Sequence, residues 1–264
     1  MGWPAGADLD PGRTILRRTG VFRRGTTVLG YVGLPIVLVA VSAAVYYWAS
    51  IQDLDSIERR GLDPDFVVTA FYKHLNLTFV STFFVILIAV PLGVLLTRPG
   101  ARALVPPILA LANIGQAVPS IGVLVLLALV WAIGFWPAIV ALVAYSALPV
   151  LRNTMAGLQQ VDQSTIEAGR GMGMTKGAVL LRIELPLAVP VILAGVRTAL
   201  VINVGTATLA TFVNAGGLGD IINLGLTTGR LTITLVGSVL AASLALFIDH
   251  LAGIAEGRLS PKGL

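Results

Sequence analysis

Residues with the types and spacing to do specific work are confined to a few stretches of an otherwise apolar chain. The longest, Ser164-Thr165-Ile166-Glu167-Ala168-Gly169-Arg170-Gly171-Met172-Gly173-Met174-Thr175-Lys176, reads as helix, turn, helix. Ser164 and Glu167 fit the S/T-x-x-E capping box, in which side chains satisfy the first unpaired amides of a helix. Gly171 and Gly173 permit a sharp turn that exposes Met172 and Met174. A second short amphipathic helix, Lys176 to Glu184, sets Val179, Leu180 and Ile183 on one face, and Pro186 is expected to stop it. The chemistry this suits is non-covalent: apolar side chains on a tight turn docking in a partner's groove. An ordinary polar loop accommodates the same residues.

A second set comprises polar residues that interrupt apolar helices: Asn113, Gln116, Asn203, Thr206, Thr208 and Asn214. Asn113 and Gln116 lie beside Val118-Pro119-Ser120, so helix breakers and amides sit at a depth where lipid-facing backbone is not tolerated. That stretch should face protein or a water-filled path. These six residues are candidates for a translocation path, and interhelical hydrogen bonding is the competing role. Arg197 is costly to bury and should find an acceptor or reach water. Asp249-His250 reads as a solvated pair rather than a proton relay, and Trp3, Trp48, Trp131 and Trp136 as interface or packing residues.

Several chemistries are excluded. There is no cysteine, which removes disulfides, thiolate-ligated zinc and iron–sulfur clusters, and the two histidines, His74 and His250, are far apart in sequence. No G-x-x-x-x-G-K-[ST] phosphate loop is present, so this chain should not hydrolyse nucleotide, and an energy source would have to be another polypeptide. The net charge of +5 does not point to nucleic acid, because the basic residues sit in loops between apolar windows.

The elements that must position these residues follow from composition. With 56% hydrophobic and 12% charged residues and a mean hydropathy of +0.90, the chain calls for the bilayer as solvent. The expectation is an all-α integral membrane protein of about six transmembrane helices. The first, Val28 to Ser50, follows Arg13, Arg17, Arg18, Arg23 and Arg24 and reads as an uncleaved anchor, since its apolar run exceeds a signal-peptide core. Residues Ile51 to Ala70 form an external loop, with room for a short surface helix. The second helix, Phe71 to Thr97, returns to the cytoplasm at Arg98 and Arg102. The 48 uncharged residues from Leu104 to Leu151 supply two crossings that turn at Gly134 to Pro137, the second of them short. After the polar insertion 152–187, a fifth helix begins near Leu187. A glycine-rich break, Asn214 to Asp220, and a short external helix precede the last crossing, Leu231 to Leu251. This threading puts both termini and thirteen of the 18 Lys and Arg residues inside, in line with retention of positive charge in the cytoplasm.

Glu167-Ala168-Gly169, three residues, Gly173, nine residues and Ile183-Glu184-Leu185-Pro186 resemble the EAA motif of binding-protein-dependent ABC import permeases, with Gly169 departing from the usual third alanine. Gln116 to Ser120, Leu148-Pro149-Val150-Leu151-Arg152-Asn153-Thr154, Ala194-Gly195-Val196-Arg197-Thr198 and Gly216-Gly217-Leu218-Gly219-Asp220 are similar to osmoprotectant permeases, the importers of glycine betaine, carnitine and choline. The resemblance covers about Tyr72 to Gly263 and implies a type I ABC importer permease fold in residues 71–264. Residues 1–70 then read as a basic tail, an extra helix and an external loop added to that core.

The resemblance further implies that Glu167, Ala168, Gly169, Gly173, Met174, Ile183, Leu185 and Pro186 form a coupling helix seated on a cytoplasmic ABC ATPase dimer. The remaining partners it implies are an extracytoplasmic substrate-binding protein, a second permease subunit and the lipid of the cytoplasmic (inner) membrane. The function implied is ATP-driven import of glycine betaine, carnitine, choline or proline. A related permease for another small solute, such as an amino acid, fits the same motifs.

Overall fold

In hydrocarbon every backbone N–H and C=O must be paired within the protein, and a helix does this segment by segment. The computed structural model describes residues 28–259, and these are almost entirely helical. The order is α1 (Val28–Ser50), α2 (Ser56–Gly61), α3 (Pro64–Leu96), a 3₁₀ turn (Pro99–Leu104), α4 (Val105–Ala117), α5 (Ser120–Val130), α6 (Phe135–Gln159), α7 (Gln163–Gly171) and α8 (Lys176–Val179). A π turn (Leu180–Glu184), α9 (Leu185–Ala207), a second 3₁₀ turn (Thr208–Val213), α10 (Leu218–Thr228) and α11 (Leu231–Leu259) complete it. The expected basic tail before Val28 and the residues after Leu259 lie outside the described residues.

Five helical stretches are long and apolar enough to cross a bilayer: Tyr31–Ser50, Pro64–Leu96, Phe135–Gln159, Lys176–Val213 and Leu231–Leu259. Pro99–Ala117 and Ser120–Val130 make a sixth if counted as one span, bent by 97° between them. The bend falls at Val118 and Pro119, where the sequence placed its helix breakers; Pro119 has no N–H to continue the ladder of α4.

Several boundaries differ from the sequence reading. Helix α3 starts at Pro64 rather than Phe71, because the Asp63 side chain accepts the N–H groups of Asp65 and Phe66 and Pro64 needs no partner at the first helical position. Helix α6 is not short. It runs past Arg152 to Gln159, and 25 residues at 1.5 Å each span about 38 Å, longer than the roughly 30 Å of hydrocarbon. Pro186 does not stop the second helix of the insertion: α8 continues through the π turn into α9, where Leu185 N–H reaches back five residues to Leu180 O just ahead of the proline.

Helices α3, α6 and α9 form the centre of the bundle, and small residues set their spacing. A Cβ added at Gly93 would lie 2.7 Å from Thr154 Cβ, and one at Gly195 would lie 2.7 Å from Asn153 Cβ, so the helix axes approach only because these positions are glycine. Helix α11 packs on α9 and α10, and α1 packs on α11 at the edge of the molecule. Helix α1 keeps Val32, Ile36, Val39 and Tyr47 exposed, as a lipid-facing helix must.

Candidate functional site

The insertion folds as two short helices around a glycine turn. Asp162, not Ser164, caps α7: its carboxylate accepts the Ser164 N–H at 2.8 Å, and that bond holds it below the usual carboxylate range. The expected capping box is absent here because Glu167 lies further into the helix, where it accepts from Gln163 Nε2 at 3.0 Å. Helix α7 ends as Met172 N–H bonds Ala168 O and Met174 N–H bonds Gly169 O. Gly173 then takes φ +84°, a left-handed conformation that a side chain resists. Thr175 restarts the helix by accepting the Ala178 N–H.

This geometry divides the motif into two faces. Ile166, Gly169 and Val179 turn inward, with Met174 and Ile183 half-buried against them. Met174 is thus tucked into the turn rather than exposed beside Met172, which is 76% exposed. Glu167, Ala168, Arg170, Met172 and Gly173 face outward, and among the described residues α7 packs chiefly on α8 and the π turn. The outer face presents an acid, a base and a thioether, all exposed among the described residues. Leu185 and Pro186 sit where the insertion enters α9, Leu185 half-buried and Pro186 exposed.

Gly169 has a local reason. A Cβ there would lie 2.6 Å from Ile183 Cδ1, so the two halves of the motif meet through the missing methyl. Behind it, Glu184 is 4% exposed and takes both arms of the Arg98 fork, Nη2 to Oε2 at 2.7 Å and Nη1 to Oε1 at 3.3 Å. This pins the end of the insertion to the corner between α3 and the first 3₁₀ turn. Sequence reasoning missed the pair; its only signal was an acid next to Pro186 in an apolar setting.

The polar residues proposed for the path are not gathered in one place. Asn113 is exposed and accepts from Arg152 Nη2 at 2.9 Å, while Gln116 is half-buried and donates to Tyr145 O at 3.1 Å; both tie α4 to α6. Asn203 is buried between α3 and α9 and donates to Thr82 Oγ1 at 2.9 Å. Thr206 is half-buried, and so is Thr208, whose hydroxyl bonds Gly205 O and whose carbonyl is covered by Gly219. Asn214 is exposed and closes the second 3₁₀ turn in the left-handed conformation, φ 55°.

Two further polar groups carry structure. His74, fully buried on α3, accepts the Leu218 N–H at Nδ1, so its proton resides on Nε2 and is donated to Val204 O at 3.0 Å. Arg197 finds its acceptor: Asp249 takes Nε and Nη2 at 2.6 and 2.8 Å, and Glu256 takes Nη1 at 3.4 Å. Asp249 and His250 are therefore not a free solvated pair, since His250 Nε2 is also engaged, 2.9 Å from Tyr31 O on α1. Among the described residues no group of three His, Asp or Glu is placed to hold a metal ion.

A bundle of five apolar spans and a sixth, bent pair, with a two-helix insertion between α6 and α9, is the architecture of a multi-pass membrane protein. Residues 89–261 match the family of binding-protein-dependent transport system inner membrane components, and the chain belongs to that family. It is 42% identical over 193 residues to the choline transport system permease protein OpuBB of Bacillus subtilis, covering 73% of this chain and 88% of that one. It is 38% identical over 234 residues to the osmoprotectant import permease protein OsmY of Salmonella typhimurium, covering 89% and 95%. Among solved structures, a permease chain of the MetNI methionine ABC transporter in an inward-facing conformation matches with a TM-score of 0.65 and 30% identity over 74% of this chain and 97% of that one. The type I ABC importer permease fold follows from these matches.

Proposed function

We propose that this chain is the translocating subunit of an ATP-driven importer of compatible solutes, with glycine betaine, carnitine, choline or proline as the transported class. The observation that carries the coupling half of this reading is the exposed face of α7, Glu167, Ala168, Arg170 and Met172, on a helix that among the described residues packs chiefly on the rest of its own hairpin. A partner that closes on ATP can move such a helix, and α8 passes the displacement into α9 without a break. The substrate half is supported by the names of the relatives, which are permeases for choline and osmoprotectants.

In this reading the partners are a cytoplasmic ABC ATPase dimer, which binds the ATP and Mg, a substrate-binding protein on the other side, and a second permease subunit. The coupling residues are Glu167, Ala168, Gly169, Gly173, Met174, Ile183, Leu185 and Pro186, the first two at the contact and the others shaping it. Asn113, Gln116, Thr206, Thr208 and Asn214 remain path candidates; Asn203 serves as an interhelical bond in this conformation. The distribution of Lys and Arg supports cytoplasmic termini and the α7–α8 hairpin on the cytoplasmic side. Residues 1–70 are proposed as an accessory unit on a core of 71–264. A second reading, import of an amino acid, is favoured by the likeness to the methionine transporter.

Co-purification with the partner ATPase and binding protein, followed by reconstitution and ATP-dependent uptake assays, tests both halves. Uptake of a quaternary ammonium solute or of proline supports the first reading, and uptake of another amino acid alone replaces it with the second. Glu167→Lys should release the ATPase while leaving the permease inserted; retained ATPase would overturn the coupling role.

A further inference from the structure

Between α1 and the rest of the bundle lies an apolar slot of about 510 Å³, walled by Leu38 and Tyr46 of α1, Phe71 of α3, and Leu240, Ser243 and Phe247 of α11. It exists because the residues that would fill it are small: Ser42, Ala43 and Ser243 face one another where larger side chains would close α1 onto α11. Along α1 it runs from Leu38 to Tyr46, about 12 Å at 1.5 Å per residue. That is close to the roughly 15 Å depth of one leaflet's hydrocarbon.

At its Tyr46 end the slot meets a smaller chamber of about 170 Å³, which shares Tyr46 and Pro64 with it and adds the polar side chains of Ser50, Arg59 and Asp63 to the apolar Leu54 and Leu62. Two of these polar groups are already committed. Tyr46 donates its hydroxyl to Leu62 O at 2.9 Å, and the Asp63 carboxylate caps α3. Among the described residues Arg59 bonds through its Nε alone, to Leu54 O at 3.0 Å, so the two terminal amino groups of its fork can take a ligand. The Asp63 carboxylate directs its charge to the first amides of α3, the N–H groups of Asp65 and Phe66, which leaves Arg59 as the group of the chamber that can take an anion.

We propose that this composite cavity binds one phospholipid of the leaflet on the α2 side, one acyl chain in the slot and the phosphate at Arg59. An apolar channel nearly one leaflet deep that opens onto the terminal amino groups of a guanidinium matches the amphipathic form of a lipid, charge against phosphate and hydrocarbon against hydrocarbon. A second copy of this chain laid along the slot would bring its own Ala43 close to that of the first, which the test below detects. The lipid fills the space between α1 and α11 and so becomes part of how α1 is held to the bundle.

Labelling of the full-length membrane-embedded chain with a phospholipid carrying a photoactivatable group in mid-acyl chain tests this. Label should concentrate on peptides containing Ala43 and Ser243 rather than on the exposed apolar residues of α5. Ser243→Phe, which fills the slot, should cut it by about five-fold or more, while α5 labelling stays unchanged. Arg59→Gln, a surface change that does not threaten folding, should cut phospholipid labelling about two- to five-fold and leave labelling by a diacylglycerol probe, which lacks the phosphate, unaltered. Even labelling around all lipid-facing helices, or equal labelling in both variants, overturns the proposal. So does a disulfide between two copies of Ala43→Cys, a clean reporter because the chain has no other cysteine.

Discussion

Arg98 and Glu184 meet as a two-armed ion pair 86 residues apart in sequence, joining the Leu96 end of α3 to the root of the α7–α8 hairpin. The carboxylate is nearly buried and the guanidinium about a third exposed, with side chains 6% and 34% exposed, so loss of either partner strands a charge unequally. Glu184→Ala should cost about 1–3 kcal/mol, less than a fully buried pair because Arg98 reaches water. Thermal unfolding of the solubilised permease measures this directly. If the pair transmits motion as well as holding the corner, Glu184→Gln, which keeps the shape, should lower ATP-coupled uptake more than it lowers stability.

Gly169 and Ile183 predict a compensating pair. Gly169→Ala restores the residue usual in the motif but sets its methyl 2.6 Å from Ile183 Cδ1, the far end of a flexible side chain. The clash should cost about 1 kcal/mol through a forced rotamer. Ile183→Val removes the offending carbon. Uptake and ATPase association should fall in Gly169→Ala and recover in the double variant, with a coupling energy of about 1 kcal/mol in the cycle. Additive losses would show that the two residues do not share the contact.

The spans were legible because twenty apolar residues in a row have only one solvent, and the bend at Pro119 because proline removes a donor wherever it stands. Boundaries were misread where helix formation outlasts the membrane. Charge at Arg152 marks the bilayer surface, yet nothing at that point breaks the backbone of α6. Pro186 looked like a stop, but a proline near the start of a helix is tolerated, and the π turn absorbs the register change. The capping box was sought at Ser164 and Glu167, whereas the chain forms one at Asp55 and Glu58, ahead of α2. Long-range partners such as Arg98 with Glu184, or His74 with Val204 and Leu218, leave no local pattern to read.

Arg197 and Asp249 should behave as a unit. Both side chains are 37% exposed within the chain, and Arg197 lies on α9 facing two carboxylates of α11. Asp249→Asn should leave the arginine with Glu256 as its remaining partner, lowering the midpoint of thermal unfolding by an amount equivalent to about 1–2 kcal/mol after allowing for exposure. Arg197→Met combined with Asp249→Leu should recover much of that loss, because apolar residues of similar volume suit the same depth. Melting of the three variants side by side decides it: if the double variant is no better than Asp249→Asn alone, the arginine has a further duty that packing does not replace.

His74 gives the sharpest stability forecast, because its ring serves two backbone groups of different elements at once. Val204 O would otherwise lack the Nε2 donor, and Leu218 N–H would lack the Nδ1 acceptor at the start of α10. Alanine at this position leaves both without the imidazole in a buried setting and opens a cavity, for a combined cost of roughly 3–5 kcal/mol. Glutamine carries one donor and one acceptor on a longer stem and should restore part of it. Gly217 lies against the ring, with a Cβ there only 3.1 Å from Nδ1, and its φ of 111° suits glycine alone, so Gly217→Ala should destabilise the same junction. Thermal melts of His74→Ala, His74→Gln and Gly217→Ala, with proteolysis of the Asn214–Leu218 segment as the local readout, should rank the alanine variant at 74 as the worst. A melt unchanged in His74→Ala would mean that the α3–α10 junction is held by apolar packing alone.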